Sequence, residues 1–227
     1  MAKDYSPYGP PAVTVDVVIF TLEDDQLEVL LIKRSKAPFA GRWGLPGSFL
    51  IKGETTEAAV KRTLREKCGV SEVYTEQLFT FDDPKRDPRG HIMTVAYFAL
   101  VPRSALLFSD VPTAEKPTFH DVKRLPPLAF DHAKIVRYGM TRLRNKVTYT
   151  NILYSLLPEK FPFTQLQKAY ELILGRPLDK RNFRKKYLSL GVVEPTPERQ
   201  EGTRHRPAQL FRFRHRQLTE LDLPWYR

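Results

Sequence analysis

Ser48-Phe49-Leu50-Ile51-Lys52-Gly53-Glu54-Thr55-Thr56-Glu57-Ala58-Ala59-Val60-Lys61-Arg62-Thr63-Leu64-Arg65-Glu66-Lys67-Cys68-Gly69-Val70 is the stretch that decides the fold. It is a glycine-marked turn feeding an amphipathic helix. Thr55 or Thr56 is the N-cap, because a threonine hydroxyl accepts from N–H groups that the first helical turn leaves unbonded. Ala58, Ala59 and Leu64 fall on the apolar side. Gly69 ends the helix, where a left-handed residue is needed. Glu54 and Arg62 form a pair able to pin the loop to the helix. Thr63, Glu66 and Lys67 lie three and four residues apart and share a face. That face carries one carboxylate, too few for a hard dication that wants several oxygen ligands. Its ammonium repels a dication and attracts a diphosphate.

The chain has 227 residues, enough for one large domain or two small ones. Its hydrophobic content, 41%, is that of a globular protein. No run reaches the ~18 apolar residues of a membrane span, and Met1 to Tyr5 lacks the apolar centre of a signal peptide. The single cysteine, Cys68, cannot close an intrachain disulfide and reads as a packing residue. These features imply a soluble cytoplasmic protein with no membrane partner. The net charge of +11 is unevenly spread: Lys146 to Arg227 holds 16 Lys and Arg against 8 Asp and Glu. A basic C-terminal third implies a polyanionic partner, most often nucleic acid. The plainer alternative is a solvated basic surface.

Upstream of the decisive stretch, residues 1–10 read as a flexible lead-in. Val13 to Phe20 and Glu28 to Lys33 read as the strands of a hairpin turning at Asp24-Asp25. A loop marked by Gly and Pro follows, Gly41-Arg42-Trp43-Gly44-Leu45-Pro46-Gly47. Trp43 either offers a flat face to a base or sugar or plugs the core below a sheet. Downstream, Val73 to Phe81 predicts a strand with Gln77, Phe79 and Phe81 alternating against Leu78 and Thr80. Asp82 to Gly90 is a polar loop. His91 to Val101 predicts a buried central strand, with His91 itself a loop residue. Within the Pro-rich 102–127 segment, Phe119 to Leu125 reads as a short strand. Asp131 caps a helix, His132 to Lys146, whose last turn holds Arg142, Arg144 and Lys146. The domain boundary falls just after it, dividing the chain into 1–147 and 148–227.

Beyond the boundary the pattern changes to short helices. Asn151 to Leu157 reads as an apolar helix stopped by Pro158. Thr164 and Gln167 have capping-box spacing, opening a helix that ends at Gly175. Asp179 caps a third helix, Lys180 to Leu190. Two helices joined by a short Gly-containing turn match helix-turn-helix spacing. In the third helix Phe183, Tyr187 and Leu190 form an inward stripe, leaving Lys180, Arg181, Arg184, Lys185 and Ser189 outward, which suits a major groove. Val192 to Glu194 and Gln209 to Phe213 predict a hairpin whose loop holds Arg199, Arg204, His205 and Arg206. That is a wing. Arg212, Arg214 and Arg216 extend the basic surface, and Leu221 to Tyr226 packs back on a domain or a partner subunit.

The decisive stretch closely resembles the Nudix box: Gly, five residues, Glu, seven residues, Arg-Glu, an aliphatic, any residue, Glu-Glu, any residue, Gly, an aliphatic. Ser48, Glu54, Arg62, Leu64, Glu66, Gly69 and Val70 hold the spacing. Ser48 replaces the first Gly, while Thr63 and Lys67 replace metal-binding Glu. Gly41 to Gly47 extends the resemblance. With the basic segment Leu178 to Lys186 and with Gly202 to Phe213, nearly the whole chain resembles the Nudix-related transcriptional regulators, NrtR. The resemblance implies an α+β protein: a Nudix α/β/α sandwich with a mixed sheet, then a C-terminal winged helix-turn-helix. It also implies a homodimeric repressor of NAD-metabolism genes in which ADP-ribose, or a related nucleotide sugar, controls binding to a double-stranded DNA operator.

The missing carboxylates imply binding without hydrolysis: no catalytic residue, no metal and no other cofactor. Arg34, Trp43, Phe49, Glu66 and Lys67 are the candidate effector residues, with the diphosphate near Lys67 and Arg34 and the aromatic end near Trp43 or Phe49. Glu54, Arg62 and Gly69 are the frame of the box. Lys180, Arg181, Asn182, Arg184, Lys185, Arg204, His205 and Arg206 are the candidate DNA contacts, with Arg184 reading a guanine or contacting a phosphate. Two alternatives stand beside this reading. One is an active Nudix pyrophosphohydrolase with an accessory nucleic-acid-binding domain. The other is a binding module that uses its Nudix domain only to dimerise.

Overall fold

A computed structural model of the chain describes residues 9–23, 25–70, 73–106, 117–200 and 207–221. Its centre is β1 (Ala12–Glu23), buried along nearly its whole length. β1 pairs antiparallel with β2 (Gln26–Lys33) and parallel with β6 (Ile92–Leu100), and β5 (Tyr74–Phe81) flanks β6. Two short strands, β3 (Trp43–Gly44) and β4 (Gly47–Phe49), pair with β2 and β1, and β7 (Thr118–Asp121) pairs with β2. The sheet is therefore mixed. Asp24 lies outside the described residues, but the register Glu23 to Gln26 closes the expected hairpin.

Successive side chains of a strand point to opposite faces, and here each face has its own helix. Val15, Val17 and Ile19 with Tyr97 and Ala99 pack under α1 (Thr56–Cys68), against Ala59, Val60 and Leu64. Val18 and Phe20 with Ala96 and Phe98 pack under α2 (His132–Lys146), against Ile135, Val136 and Leu143. Gly139 lets α2 approach: a Cβ there would lie 3.4 Å from the Phe20 ring. The three layers are helix, sheet, helix, as the resemblance implied. Trp43 is half-buried, its ring edge-on to His120 at 4.5 Å, so it plugs the core.

Several local expectations need correction. The alternation through β5 breaks at a bulge between Gln77 and Phe79, which buries Leu78 and Phe81 and leaves Phe79 exposed. The extra residue shifts the phase of every later side chain. The short strand after the Pro-rich segment starts and ends earlier, at Thr118–Asp121. Asn151 to Leu157 holds only a 3₁₀ turn, Ile152–Ser155. Asp131 stands at the N-cap position of α2, but its carboxylate does not cap the helix. It binds Arg86 instead.

The C-terminal part comprises β8 (Phe161–Pro162), α3 (Phe163–Leu174), α4 (Lys180–Ser189), β9 (Val193–Arg199) and β10 (Gln209–Phe213), with a sheet ordered β8-β10-β9. This is a winged helix. The capping box is absent, because α3 already begins at Phe163 and no side chain caps it. Gln167 turns instead to the α3–α4 turn, donating to Glu171 and to the Leu178 carbonyl, while Glu171 accepts from the Leu178 N–H. Asp179 caps α4 as expected, accepting from the Asn182 N–H at 2.7 Å. Phe163, Tyr170, Phe183, Tyr187 and Phe211 form a ring-on-ring core. That core runs without a break through Ile152 and Leu153 to the α2 face of the sheet.

Candidate functional site

The box forms one wall of a cleft. Thr55 caps α1, accepting from the Ala58 N–H, and Gly69 closes it at φ 68°. Arg62 forks onto Glu54 with two bonds of 2.8 Å and also donates to the Phe49 carbonyl. The Arg62 guanidinium and the Ile51 N–H hold the Glu54 carboxyl down to about 2. This is the loop-to-helix pin expected from the sequence.

The three altered box positions are tied to the loop. Thr63 is fully buried and donates to the Ala59 carbonyl at 2.7 Å. Its one proton is thereby used, so the Ser48 hydroxyl donates to Thr63 Oγ1 at 2.7 Å. Lys67 Nζ donates to the Gly47 carbonyl. Glu66, half-exposed, faces Arg62 at 3.7 Å. A hard dication needs several oxygens converging on one point. Here one such position is a buried hydroxyl and another an ammonium, so the residues present do not fit a box metal cluster. No three His, Cys, Asp or Glu side chains are grouped for a metal among the described residues. Cys68 is buried, which pushes its thiol up to about 12 and leaves it inert at neutral pH.

The cleft encloses about 290 Å³ and takes in Arg34, Phe49 and Lys67 of the expected effector residues. Trp43 and Glu66 do not line it. The sequence reading missed the opposite wall, made of Asp16, Arg86, Asp87, Arg89, Phe130 and His132. Arg86 has a side chain only 3% exposed, yet it serves two carboxylates, Asp131 at 2.7 Å and Asp16 at 3.5 Å. Arg89 forks onto Asp87 at 2.6 and 3.0 Å. Burial pushes the Asp87 carboxyl up, but the bonds from Arg89 outweigh it and leave the group below its usual range. The Arg89 guanidinium also lies 5.4 Å from the Phe49 ring and 5.5 Å from the Phe130 ring, and Arg34 is 4.8 Å from Phe130. Burial pushes His132 down, so it is neutral at pH 7. Its Nδ1 accepts from the Leu45 N–H at 2.8 Å, which puts the proton on Nε2, facing Asp16 at 3.7 Å. Gly47 is required where the walls meet: a Cβ there would lie 2.2 Å from Asp16 Oδ1 and 2.6 Å from the Val15 carbonyl. A cleft lined by cations and two phenylalanine faces suits an anion joined to an aromatic ring.

The second candidate surface is α4. Lys180, Arg181, Asn182 and Lys185 are exposed along it. Arg184 is also exposed, but its guanidinium lies 4.8 Å from the Phe163 ring and 5.2 Å from the Phe211 ring. Arg212 and Arg214 pair with Glu194. The wing residues Arg204, His205 and Arg206 lie outside the described residues, as do residues 222–226 of the tail.

A three-layer Nudix-type domain followed by a winged helix defines a class: a small-molecule cleft joined to a DNA-binding module. The Nudix domain model matches residues 10–139, and the NrtR DNA-binding winged helix domain model matches residues 153–213. The chain belongs to the NrtR family. It is 41% identical over 212 residues, 92% of its length and 84% of the relative's, to the ADPR-responsive transcriptional repressor NtrR of Acinetobacter baylyi. Its fold matches that of Shewanella oneidensis NrtR crystallised with a 27mer DNA, at a TM-score of 0.80 and 35% identity, over 89% of this chain and 93% of that one. The Nudix domain of the same Shewanella protein, crystallised with ADP-ribose, matches at a TM-score of 0.56 and 38% identity, over 62% and 94% of the chains. An ADP-ribose pyrophosphatase of Methanocaldococcus jannaschii is 41% identical over 135 residues, 60% of this chain and 76% of that protein. No helix among the described residues is long and apolar enough to cross a membrane.

Proposed function

We propose that this chain is a transcriptional repressor whose cleft holds ADP-ribose, or a related nucleotide sugar, without hydrolysing it, and so controls operator binding by the winged helix. The observation that carries the reading is the fate of the altered box positions. Ser48 bonds Thr63 and Lys67 bonds the Gly47 carbonyl, so the frame is kept while the metal-binding face is closed. Arg34, Arg89 and Lys67 supply positive charge for a diphosphate, and Phe49 and Phe130 supply faces for a base. The protein works in the cytoplasm as a homodimer, with the domains dividing near residue 147, and needs no metal. The family resemblance extends the reading to genes of NAD metabolism. Its relatives in Acinetobacter and Shewanella support the pairing of ADP-ribose with DNA. Operator titration in EDTA tests it: ADP-ribose changes the operator affinity, and an affinity unchanged at millimolar ADP-ribose refutes it.

The pyrophosphatase relative favours a second reading, an enzyme with an accessory DNA-binding domain. Incubation with ADP-ribose and Mg²⁺ separates the two, since steady release of AMP supports only the enzyme.

A further inference from the structure

α2 begins in the wall of the cleft and ends against the winged helix. At its start, Asp131 spends both carboxylate oxygens on Arg86, at 2.7 and 3.1 Å, and none on its own helix. His132 lines the cleft beside it. At its end, Arg142 and Lys146 grip Glu76 of β5 at 2.8 and 2.5 Å. Burial pushes the Glu76 carboxyl up, but the bonds from Lys146, Tyr74 and Arg142 outweigh it and keep the group ionised. Between these two grips, Arg144 reaches the other way and donates to the Ile173 carbonyl near the end of α3, at 3.0 Å. Arg144 lies thirteen helical steps beyond Asp131, about 20 Å at the α-helical rise. The helix that touches the ligand wall thus also touches the DNA-binding module.

We propose that Arg86 is the residue through which cleft occupancy is read, by exchanging the Asp131 carboxylate for an anionic group of the ligand. This rests on the reading of the cleft as a diphosphate site. Arg86 lines the cleft with a planar fork suited to phosphate oxygens. It already faces two carboxylates, Asp16 in the lining of the cleft and Asp131 outside that lining, and a diphosphate added to them brings further negative charge to the same guanidinium. One carboxylate must give way, and among the described residues the Asp131 carboxylate pairs with Arg86, whereas that of Asp16 also faces His132. Asp131 has a second place to go. It stands at the N-cap of α2, where the His132 and Lys134 N–H groups already bond the Ala129 and Asp131 carbonyls and the Ala133 N–H is the one its oxygens can take up. The two arrangements, Asp131 on Arg86 and Asp131 on α2, are discrete. A ligand favouring one of them shifts the start of α2 and, through Arg144, the seating of α3.

The test uses the full chain. Calorimetry measures ADP-ribose binding, and operator titration with and without ADP-ribose gives the ratio of DNA affinities, expected to be about fivefold or more in the unaltered protein. Asp131→Asn removes the competing charge. It is expected to bind ADP-ribose at least as tightly and to lose the effector ratio to below about twofold. Arg144→Ala is expected to bind ADP-ribose and operator as the unaltered protein does, yet also to lose the ratio. It keeps the proposal falsifiable should Asp131→Asn fail to fold. A full effector ratio in either variant overturns the exchange. Absence of ADP-ribose binding to the unaltered protein overturns the reading of the cleft, and the exchange with it.

Discussion

The cations of the cleft and those of α4 belong to different kinds of surface. Arg86 is buried between Asp16 and Asp131, and Arg89 is clamped on Asp87 between two aromatic rings. Lys180, Arg181 and Lys185 stand exposed along one helix. Cations fixed on carboxylates bind one anion in one geometry, and their arrangement is part of the fold's stability. Exposed cations on a helix follow a phosphate backbone, and there affinity comes from counterion release more than from geometry. Substitutions in the cleft should therefore be felt in folding first, and those of Lys180, Arg181 and Lys185 in DNA binding alone.

The largest expected effect follows directly. Arg86→Ala leaves buried Asp16 and half-buried Asp131 without their cation, which costs about 3–5 kcal/mol of stability. Urea denaturation measures it, and a loss under about 1 kcal/mol would mean the wall is wetter than its burial implies. Gly47→Ala comes next. The new Cβ would overlap Asp16 Oδ1 and the Val15 carbonyl, one of them backbone. Overpacking of this kind costs about 1–3 kcal/mol, and a variant as stable as the parent would show that β4 shifts freely.

How much of this was legible depended on sequence distance. The box was legible because its partners are close: Thr55 with Ala58, Glu54 with Arg62, and Gly69 at the end of the same helix. Asp179 was legible as a cap for the same reason. The far wall was not, because Arg86 meets its carboxylates across 45 and 70 residues, and no local pattern reports such a pairing. The same long-range bond explains why Asp131 sits at a cap without capping. Trp43 could be drawn as a stacking face or as a plug, and only the position of His120 decides for the plug. The bulge in β5 has no sequence mark at all.

On α4 the effects are smaller and differ in kind. Lys185→Ala is expected to weaken operator binding by about 1 kcal/mol, to lower the salt slope by about one, and to leave the melting temperature unchanged. Equal salt slopes would remove Lys185 from the DNA. Arg184 crosses between the two kinds of surface. Because its guanidinium packs on Phe163 and Phe211, Arg184→Ala is expected to cost about 0.5–1 kcal/mol of stability besides any loss of DNA affinity. Full DNA loss with unchanged stability would restore it as a base-reading residue.

The smallest expected effect is at Glu54, where a fixed pair meets solvent. Its carboxyl is lowered from 4.5 to about 2, first by the Arg62 bond and then by the Ile51 N–H. A depressed acid stabilises the fold above its unfolded value and stops doing so as pH falls through the folded one. The contribution of the Glu54–Arg62 pin is therefore complete above about pH 4.5 and fades toward pH 2. Glu54→Gln removes the ionisation, so the difference in melting temperature between parent and variant should narrow as pH is lowered through that window. The change is small because solvent screens the pair. A difference that stays constant down to pH 2 would place the loop's stability in the backbone contacts of β4 and leave the pin without weight.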